Sequence, residues 1–108
     1  MTLISRDKPC ITLINVFTVA PERQAELIQL LEEATTTVIR HQPGYISANL
    51  HRGLDGTHVT NYAQWRSQAD LEAMRHDPAA QTYMQAASAV AQFAPVLYEV
   101  AFTDEVDA

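Results

Sequence analysis

Four segments of the chain alternate between hydrophobic and polar residues or are rich in β-branched residues, and this pattern predicts β-strands. They cover residues 11–19, 45–52, 58–65 and 95–102. Between the first two strands, and again between the last two, apolar residues recur at helical spacing and predict amphipathic helices. The order predicts an α+β, ferredoxin-like βαββαβ fold, in which helices cover one face of a four-stranded antiparallel sheet.

Local signals mark where these helices begin. Pro21 begins the first helix, at a position where its missing N–H costs nothing. Ser67 followed by Asp70 resembles a capping box before a short helix. Asp77 followed by Pro78 predicts the N-cap and first turn of a further helix. A turn with two glycines joins the second and third strands into a hairpin.

The uncovered face of the predicted sheet is unusually apolar. Such a face is normally polar when it meets solvent, yet the strand pattern places six large apolar residues on it. They are Ile14, Val16, Tyr62, Val96, Tyr98 and Val100. Because an apolar face of that extent usually requires a partner, we expect a homodimer in which two open sheet faces pack together.

Polar side chains interrupt the other face of the predicted sheet, which should pack against the helices. Asn15 lies among apolar residues of the first strand, Asn61 shares a face with Trp65, and plain alternation adds His51 from the second strand. Burying an amide without a partner costs roughly 1–3 kcal/mol. The two asparagines therefore indicate either local hydrogen bonding or a ligand cavity where the four residues converge, although His51, close to the turn, could equally be exposed.

Composition and charge exclude several classes of function. The chain has 108 residues, enough for one domain, and 47% of them are hydrophobic. We expect a lead-in over residues 1–10, the domain over residues 11–102 and an acidic tail over residues 103–108, with frayed ends. Seven basic against 13 acidic residues give a net charge of −6, which argues against nucleic-acid binding.

Other sites are excluded by missing motifs. Cys10 is the single cysteine, so the chain has neither an internal disulfide nor a cysteine zinc site, and no histidine pair has metal-binding spacing. The glycine motifs for nucleotides and flavins are absent. No apolar run is long enough for a membrane span or a signal peptide. The expected setting is cytoplasmic, with no membrane contact.

Five segments together resemble the antibiotic biosynthesis monooxygenase family. They are residues 11–19, 42–48, 61–67, 77–79 and 96–100. The resemblance implies a dimeric α+β barrel with a pocket between sheet and helices. It also implies oxygen chemistry without flavin, haem or metal, molecular oxygen being the co-substrate.

Within this family the chain is most similar to the anthrone and quinol oxygenases. Their N-x-x-x-W motif matches Asn61 and Trp65, and their strand-two histidine matches His51. The tyrosine and arginine that this branch can carry on its helices are matched here by Leu71 and Met84, which leaves the substrate open.

The resemblance predicts a monooxygenase that oxidises a small reduced aromatic substrate, a quinol or an anthrone, to a quinone. Asn61 would donate to the developing oxyanion, His51 would act as the base, and Trp65 would pack against the ring. Substrate-binding residues would be Asn15, Phe17, Tyr45, Met74 and Tyr83.

Three alternatives stay open at this point. The chain could be a dimeric binding module without catalysis, or its pocket could be filled by its own side chains. A haem-binding or haem-degrading protein is the third. The haem-degrading branch matches at Asn15, but its tryptophan position falls near Met74 and its helical histidine position near Tyr83 or Met84.

Overall fold

A computed structural model describes residues 2–6 and 9–106; the predicted fraying at residues 1, 7, 8, 107 and 108 lies outside the described residues. The ferredoxin-like prediction is confirmed, with a four-stranded antiparallel sheet in the order β2-β3-β1-β4. The elements are β1 (Ile11–Val19), α1 (Gln24–Thr37), β2 (Tyr45–Arg52), β3 (His58–Trp65), α2 (Gln68–Arg75), α3 (Pro78–Val90) and β4 (Ala91–Tyr98). Single 3-10 turns at Pro21–Arg23 and Ile39–His41 flank α1.

The last strand differs from its prediction. It begins at Ala91, directly after α3, and ends at Tyr98. These limits follow from its pairing with β1, in which Ala91 lies opposite Val19 and Tyr98 lies opposite Thr12. Pro95 therefore lies inside the strand, where its missing N–H is tolerated because β4 is a sheet edge. The assignment of Val100 to the sheet face was wrong, since that residue follows the end of the strand.

A β-bulge in β2 changes which side chains meet the helices. The register shifts between Tyr45 and Ser47, so that one extra residue is accommodated on β2. Tyr45 pairs with Trp65 on the helix side, but after the bulge it is Ala48 that continues this face. The expectation that His51 would converge with the asparagines was therefore wrong, because His51 pairs with Thr60 on the open face.

The core between sheet and helices consists of two apolar clusters rather than one. The first contains Leu13, Ala63, Trp65, Leu71, Met74 and Ala80. The second contains Phe17, Val19, Leu27, Val59, Ala87 and Ala91. Along β1 the helix-facing residues read Leu13, Asn15, Phe17, so the boundary between the clusters falls at an asparagine.

The open face is partly covered by the chain's own N-terminal residues. Gln64 Nε2 donates to the Leu3 carbonyl at 2.7 Å, and Asn49 Nδ2 donates to Thr2 Oγ1 at 2.7 Å. The remaining face presents apolar side chains, with Val96 and Tyr98 each 47% exposed. No helix within residues 2–6 and 9–106 is long and apolar enough to cross a bilayer.

The predicted starts of α2 and α3 are confirmed, whereas Pro21 begins a 3-10 turn and α1 itself begins at Gln24. Ser67 Oγ accepts from the Asp70 N–H at 3.2 Å and donates to the Asp70 carboxylate at 2.9 Å, which caps α2. Asp77 accepts from the Ala80 N–H at 3.0 Å and caps α3. Before β2, the Gly44 carbonyl accepts from the Arg66 N–H at 2.7 Å, so the turn into β2 is joined to the start of α2.

Replacing Gly44 with alanine tests this junction. Gly44 and Gly56 both have positive φ, at +85° and +80°, but only at Gly44 would a Cβ collide with Asp70; at Gly56 the nearest atom is 4.0 Å away. We expect Gly56→Ala to lower the free energy of unfolding by about 1–2 kcal/mol, the cost of left-handed backbone. Gly44→Ala should lower the free energy of unfolding, measured by urea titration, by more than Gly56→Ala does. Equal losses of stability in the two variants would contradict a collision between the Cβ and Asp70.

Candidate active site

A cavity of about 230 Å³ lies between the sheet and the helices. Its walls come from β1, α1, the 3-10 turn after α1, β2, β3, α2, α3 and β4. The lining residues are Leu13, Asn15, Phe17, Leu31, Thr35, Ile39, Tyr45, Ala48, Asn61, Ala63, Trp65, Met74, Arg75, Met84, Phe93 and Pro95. Most of them are apolar, so the cavity suits a hydrophobic ligand with a few polar groups. The open space argues against a pocket filled by the protein's own side chains.

Two amides face each other across the central strand pair of this cavity. Asn15 and Asn61 are direct partners in the β1–β3 register. The Oδ1 atoms of both are buried and have no hydrogen-bond partner among the described residues. Because each amide offers one acceptor and an NH2 donor, the pair can bind a ligand hydroxyl or oxyanion that enters the cavity.

Aromatic pairs flank the amides on both sides. Tyr45 meets Trp65 edge to face, with ring centroids 5.7 Å apart, and Phe17 meets Phe93 at 5.2 Å. Burial raises the pKa of Tyr45, so its phenol stays protonated at neutral pH. These rings form walls against which a flat aromatic ligand can pack.

Arg75 contributes a positive charge to this lining. It is the last residue of α2. Its Nη1 lies 2.9 Å from Glu72 Oε1, and 30% of the Arg75 side chain remains in solvent. The Arg75 side chain thus lines the cavity and also contacts solvent.

Most of the residues predicted from the sequence are brought together here. The lining contains Asn15, Phe17, Tyr45, Asn61, Trp65 and Met74. His51 is absent from it, as its position on the open face requires, and its Nδ1 lies 3.1 Å from the carbonyl of Asn49. No group of three or more metal-ligating side chains comes together within the described ranges.

Tyr83 lies beside the cavity rather than in it. It lines an adjoining space of about 60 Å³ that shares Asn15, Phe17 and Met84 with the main cavity. Its hydroxyl donates to Glu33 Oε1 at 3.0 Å, and this hydrogen bond raises the pKa of Tyr83. The contact joins α3 to α1 across the smaller space.

Several lining residues were missed by the sequence reasoning. Phe93 was missed because β4 was predicted to begin at Pro95, and Pro95 itself was assigned to the strand but not to the site. Thr35 had a signal in the sequence, since it interrupts an apolar stripe of α1 at helical spacing from Leu31. Leu71, matched earlier to a tyrosine, is fully buried beside Trp65 in the first apolar cluster and does not line the cavity.

A sequence profile for the family described as "Antibiotic biosynthesis monooxygenase" matches residues 10–86. The chain belongs to this family. It is 46% identical over 100 residues to the tetracenomycin-F1 monooxygenase of Streptomyces glaucescens, covering 93% of this chain and 89% of that protein.

Solved structures of similar proteins have the same fold. The ActVA-Orf6 monooxygenase of Streptomyces coelicolor, in complex with nanaomycin D, superposes with a TM-score of 0.81 at 27% identity, covering 90% of this chain and 92% of that one. SnoaB of Streptomyces nogalater, a cofactor-independent oxygenase, gives 0.77 at 24% identity, covering 88% and 96%.

The unpartnered amide of Asn61 leads to a stability prediction. Asn61→Leu removes a polar group that makes no hydrogen bond to the described residues, so the free energy of unfolding should stay constant or rise by up to about 1 kcal/mol. Asn49→Leu is the matched control. Asn49 donates to the Tyr62 carbonyl at 3.1 Å, and its loss should cost about 1 kcal/mol. Equal destabilisation in urea titrations would show that Asn61 is structurally satisfied.

Proposed function

We propose that the protein is a cofactor-independent monooxygenase that oxidises a small reduced aromatic compound, a quinol or an anthrone, to a quinone with molecular oxygen. The observation that carries this proposal is the pair of amides, Asn15 and Asn61, inside an otherwise apolar, aromatic-walled cavity. The similarity to the tetracenomycin-F1 monooxygenase supports the same reaction class.

The chemistry needs a stabilised substrate anion next to oxygen. An anthrone or phenol that loses a proton becomes electron-rich enough to pass an electron to oxygen. For an anthrone the balance is one CH2 group plus O2 giving one carbonyl plus water, so one oxygen atom enters the product. A quinol instead gives two electrons and two protons to O2, which leaves as H2O2. The amide NH2 groups of Asn15 and Asn61 would donate to the oxyanion, a preorganised stabilisation worth about 2.7–4 kcal/mol per donor in known cases.

The proton has no assigned acceptor on the protein. His51, expected from the sequence to be the base, lies on the opposite face of the sheet. Tyr45 lines the cavity, but the raised pKa of its phenol makes it a hydrogen-bond donor rather than a base. We therefore propose that the proton passes to solvent at the cavity opening and that the protein's part is to bind the anion and hold it beside oxygen.

Oxygen uptake by metal-free protein tests this proposal directly. With an anthrone or quinol substrate, Asn61→Ala should lower kcat at least about 100-fold, because a donor to the oxyanion is lost. Trp65→Phe should weaken ring packing and lower kcat/KM about tenfold. His51→Ala is the control and should retain wild-type rates within about threefold. No uptake across a panel of such substrates, or a large loss in His51→Ala, would overturn the mechanism.

A binding module without catalysis is the competing function, and one observation favours it. Leu71 and Met84 stand where the similar oxygenases can carry a tyrosine and an arginine, and Leu71 is wholly buried. Tight binding of an aromatic ligand with unchanged oxygen consumption would support that function. A haem protein is disfavoured because the described lining offers no histidine to iron.

We also propose that the working unit is a homodimer in the cytoplasm. A free, half-buried Cys10 fits a reducing compartment. On the open face, Val16 is 38% exposed and Val96 47% exposed, at diagonal positions in the β1–β4 register. A second copy that packs its own open face there would bury these side chains.

Light scattering tests the dimer. Val96→Asp places a charge in the proposed interface and should convert a dimer of about twice the chain mass into a monomer at micromolar concentration. Leu54→Asp is the matched control, because Leu54 is fully exposed in the hairpin turn, away from the open face. A monomeric wild-type protein would contradict the proposal.

A further inference from the structure

We propose that Arg75 makes the cavity selective for aromatic substrates that carry a carboxylate. This inference rests on the proposed function for the kind of ring that is bound and adds the charge of its substituent. Arg75 is the charged side chain among the described lining residues, and the rest of the wall offers two amides, the Tyr45 phenol, Thr35 and apolar groups. A cation in such surroundings attracts an anion more strongly than it would in water.

The Arg75 guanidinium has N–H donors available for a ligand. Among the described residues it makes one hydrogen bond, from Nη1 to Glu72 Oε1 at 2.9 Å. A guanidinium carries five N–H donors in a planar fork, so a carboxylate can still be bound through two parallel hydrogen bonds. The Glu72 side chain is 43% exposed, and solvent screening makes such an ion pair weak. Glu72 therefore orients Arg75 without neutralising it fully.

The backbone that carries Arg75 is held in place. The Arg75 carbonyl accepts a hydrogen bond from Gln81 Nε2 at 3.2 Å, which ties the end of α2 to α3. A cation at the C-terminus of a helix is also favoured by the helix dipole. This placement alone would account for an arginine on the surface of α2, so the test must separate helix stabilisation from ligand recognition.

The overall charge of the chain makes a local cation informative. With a net charge of −6, the protein as a whole repels an anionic ligand. A neutral aromatic substrate would need no positive group in the cavity lining. A ring system with a carboxylate would be steered to Arg75, while its hydroxyl or ketone oxygen would reach Asn15 and Asn61.

Ligand binding provides the experiment, and Trp65 supplies the signal. Trp65 is the single tryptophan and lines the cavity, so its fluorescence should be quenched by a bound quinone. The probes are a dihydroxyanthraquinone carboxylic acid and its methyl ester, which differ in charge and by one methyl group. We expect the wild-type protein to bind the acid about tenfold more tightly than the ester, as one charge-assisted contact implies.

Three variants separate the possible roles of Arg75. Arg75→Gln should lose the preference for the acid and leave the ester affinity unchanged. Glu72→Gln should tighten binding of the acid alone, because it removes the competing carboxylate. Arg23→Gln is the control: Arg23 pairs with Glu26 at 3.0 Å on the surface, outside the cavity, and this variant should match the wild type for both probes.

The outcomes are distinct from those of the oxygenase test. Equal loss of acid and ester binding in Arg75→Gln would mean that Arg75 only supports the fold, and a wild-type preference for the ester would overturn the inference. If the acid preference holds but no substrate consumes oxygen, the proposed reaction fails while the charge selectivity stands. If oxygen uptake occurs equally with acid and ester substrates, the selectivity fails and the reaction stands.

Discussion

The hydrogen-bonding demand of Asn15 and Asn61 is the constraint on which the rest of the site depends. These residues are cross-strand partners in the two central strands, where an apolar pair would complete the core. Instead the helix-facing side is divided into an apolar cluster around Trp65 and another around Phe17. The two clusters do not pack against each other at this point, and the cavity lies between them. A buried polar pair is costly in a small domain, which is a reason to associate it with ligand binding rather than with stability.

The two faces of the sheet have different roles, and the same two central strands supply residues to both. Toward the helices, β1 and β3 present the amides and the aromatic walls; toward the other side they present apolar residues such as Ile14 and Tyr62. The N-terminal residues lie on one part of this second face and leave the Val16–Val96 region exposed. One sheet thus provides both the proposed reaction chamber and the proposed dimer interface. A change in the twist of the sheet would therefore alter the geometry of both.

The fold could be predicted from the sequence because its signals are local. Alternation predicted β1, β2 and β3 with their observed bounds, and the caps at Ser67 and Asp77 began helices where expected. The last strand was placed four residues late because Pro95 was taken as a strand start. Its true beginning depends on pairing with β1, a contact distant in sequence.

The site was predictable only where strand alternation is regular. Asn15, Asn61 and Trp65 lie on regular strands and were brought together as expected. His51 follows the bulge, and a bulge leaves no clear mark in a single sequence, so its face was assigned wrongly. Arg75 and the α1 residues enter the cavity through helix packing, which depends on how the helices cross the sheet rather than on any strand pattern.

The bulge in β2 has an evolutionary consequence. The extra residue, Ile46, sets the partners of every later residue of β2, so a strand that straightened and kept this residue would shift each of them by one partner and exchange the two faces. Ala48 would then leave the chamber, and the polar side chains of Asn49 and His51 would turn toward it. Loss of the bulge without loss of a residue could therefore convert an amide-lined chamber into one that also holds an imidazole. The presence or absence of this bulge is thus a route by which relatives with one fold could acquire different chemistries.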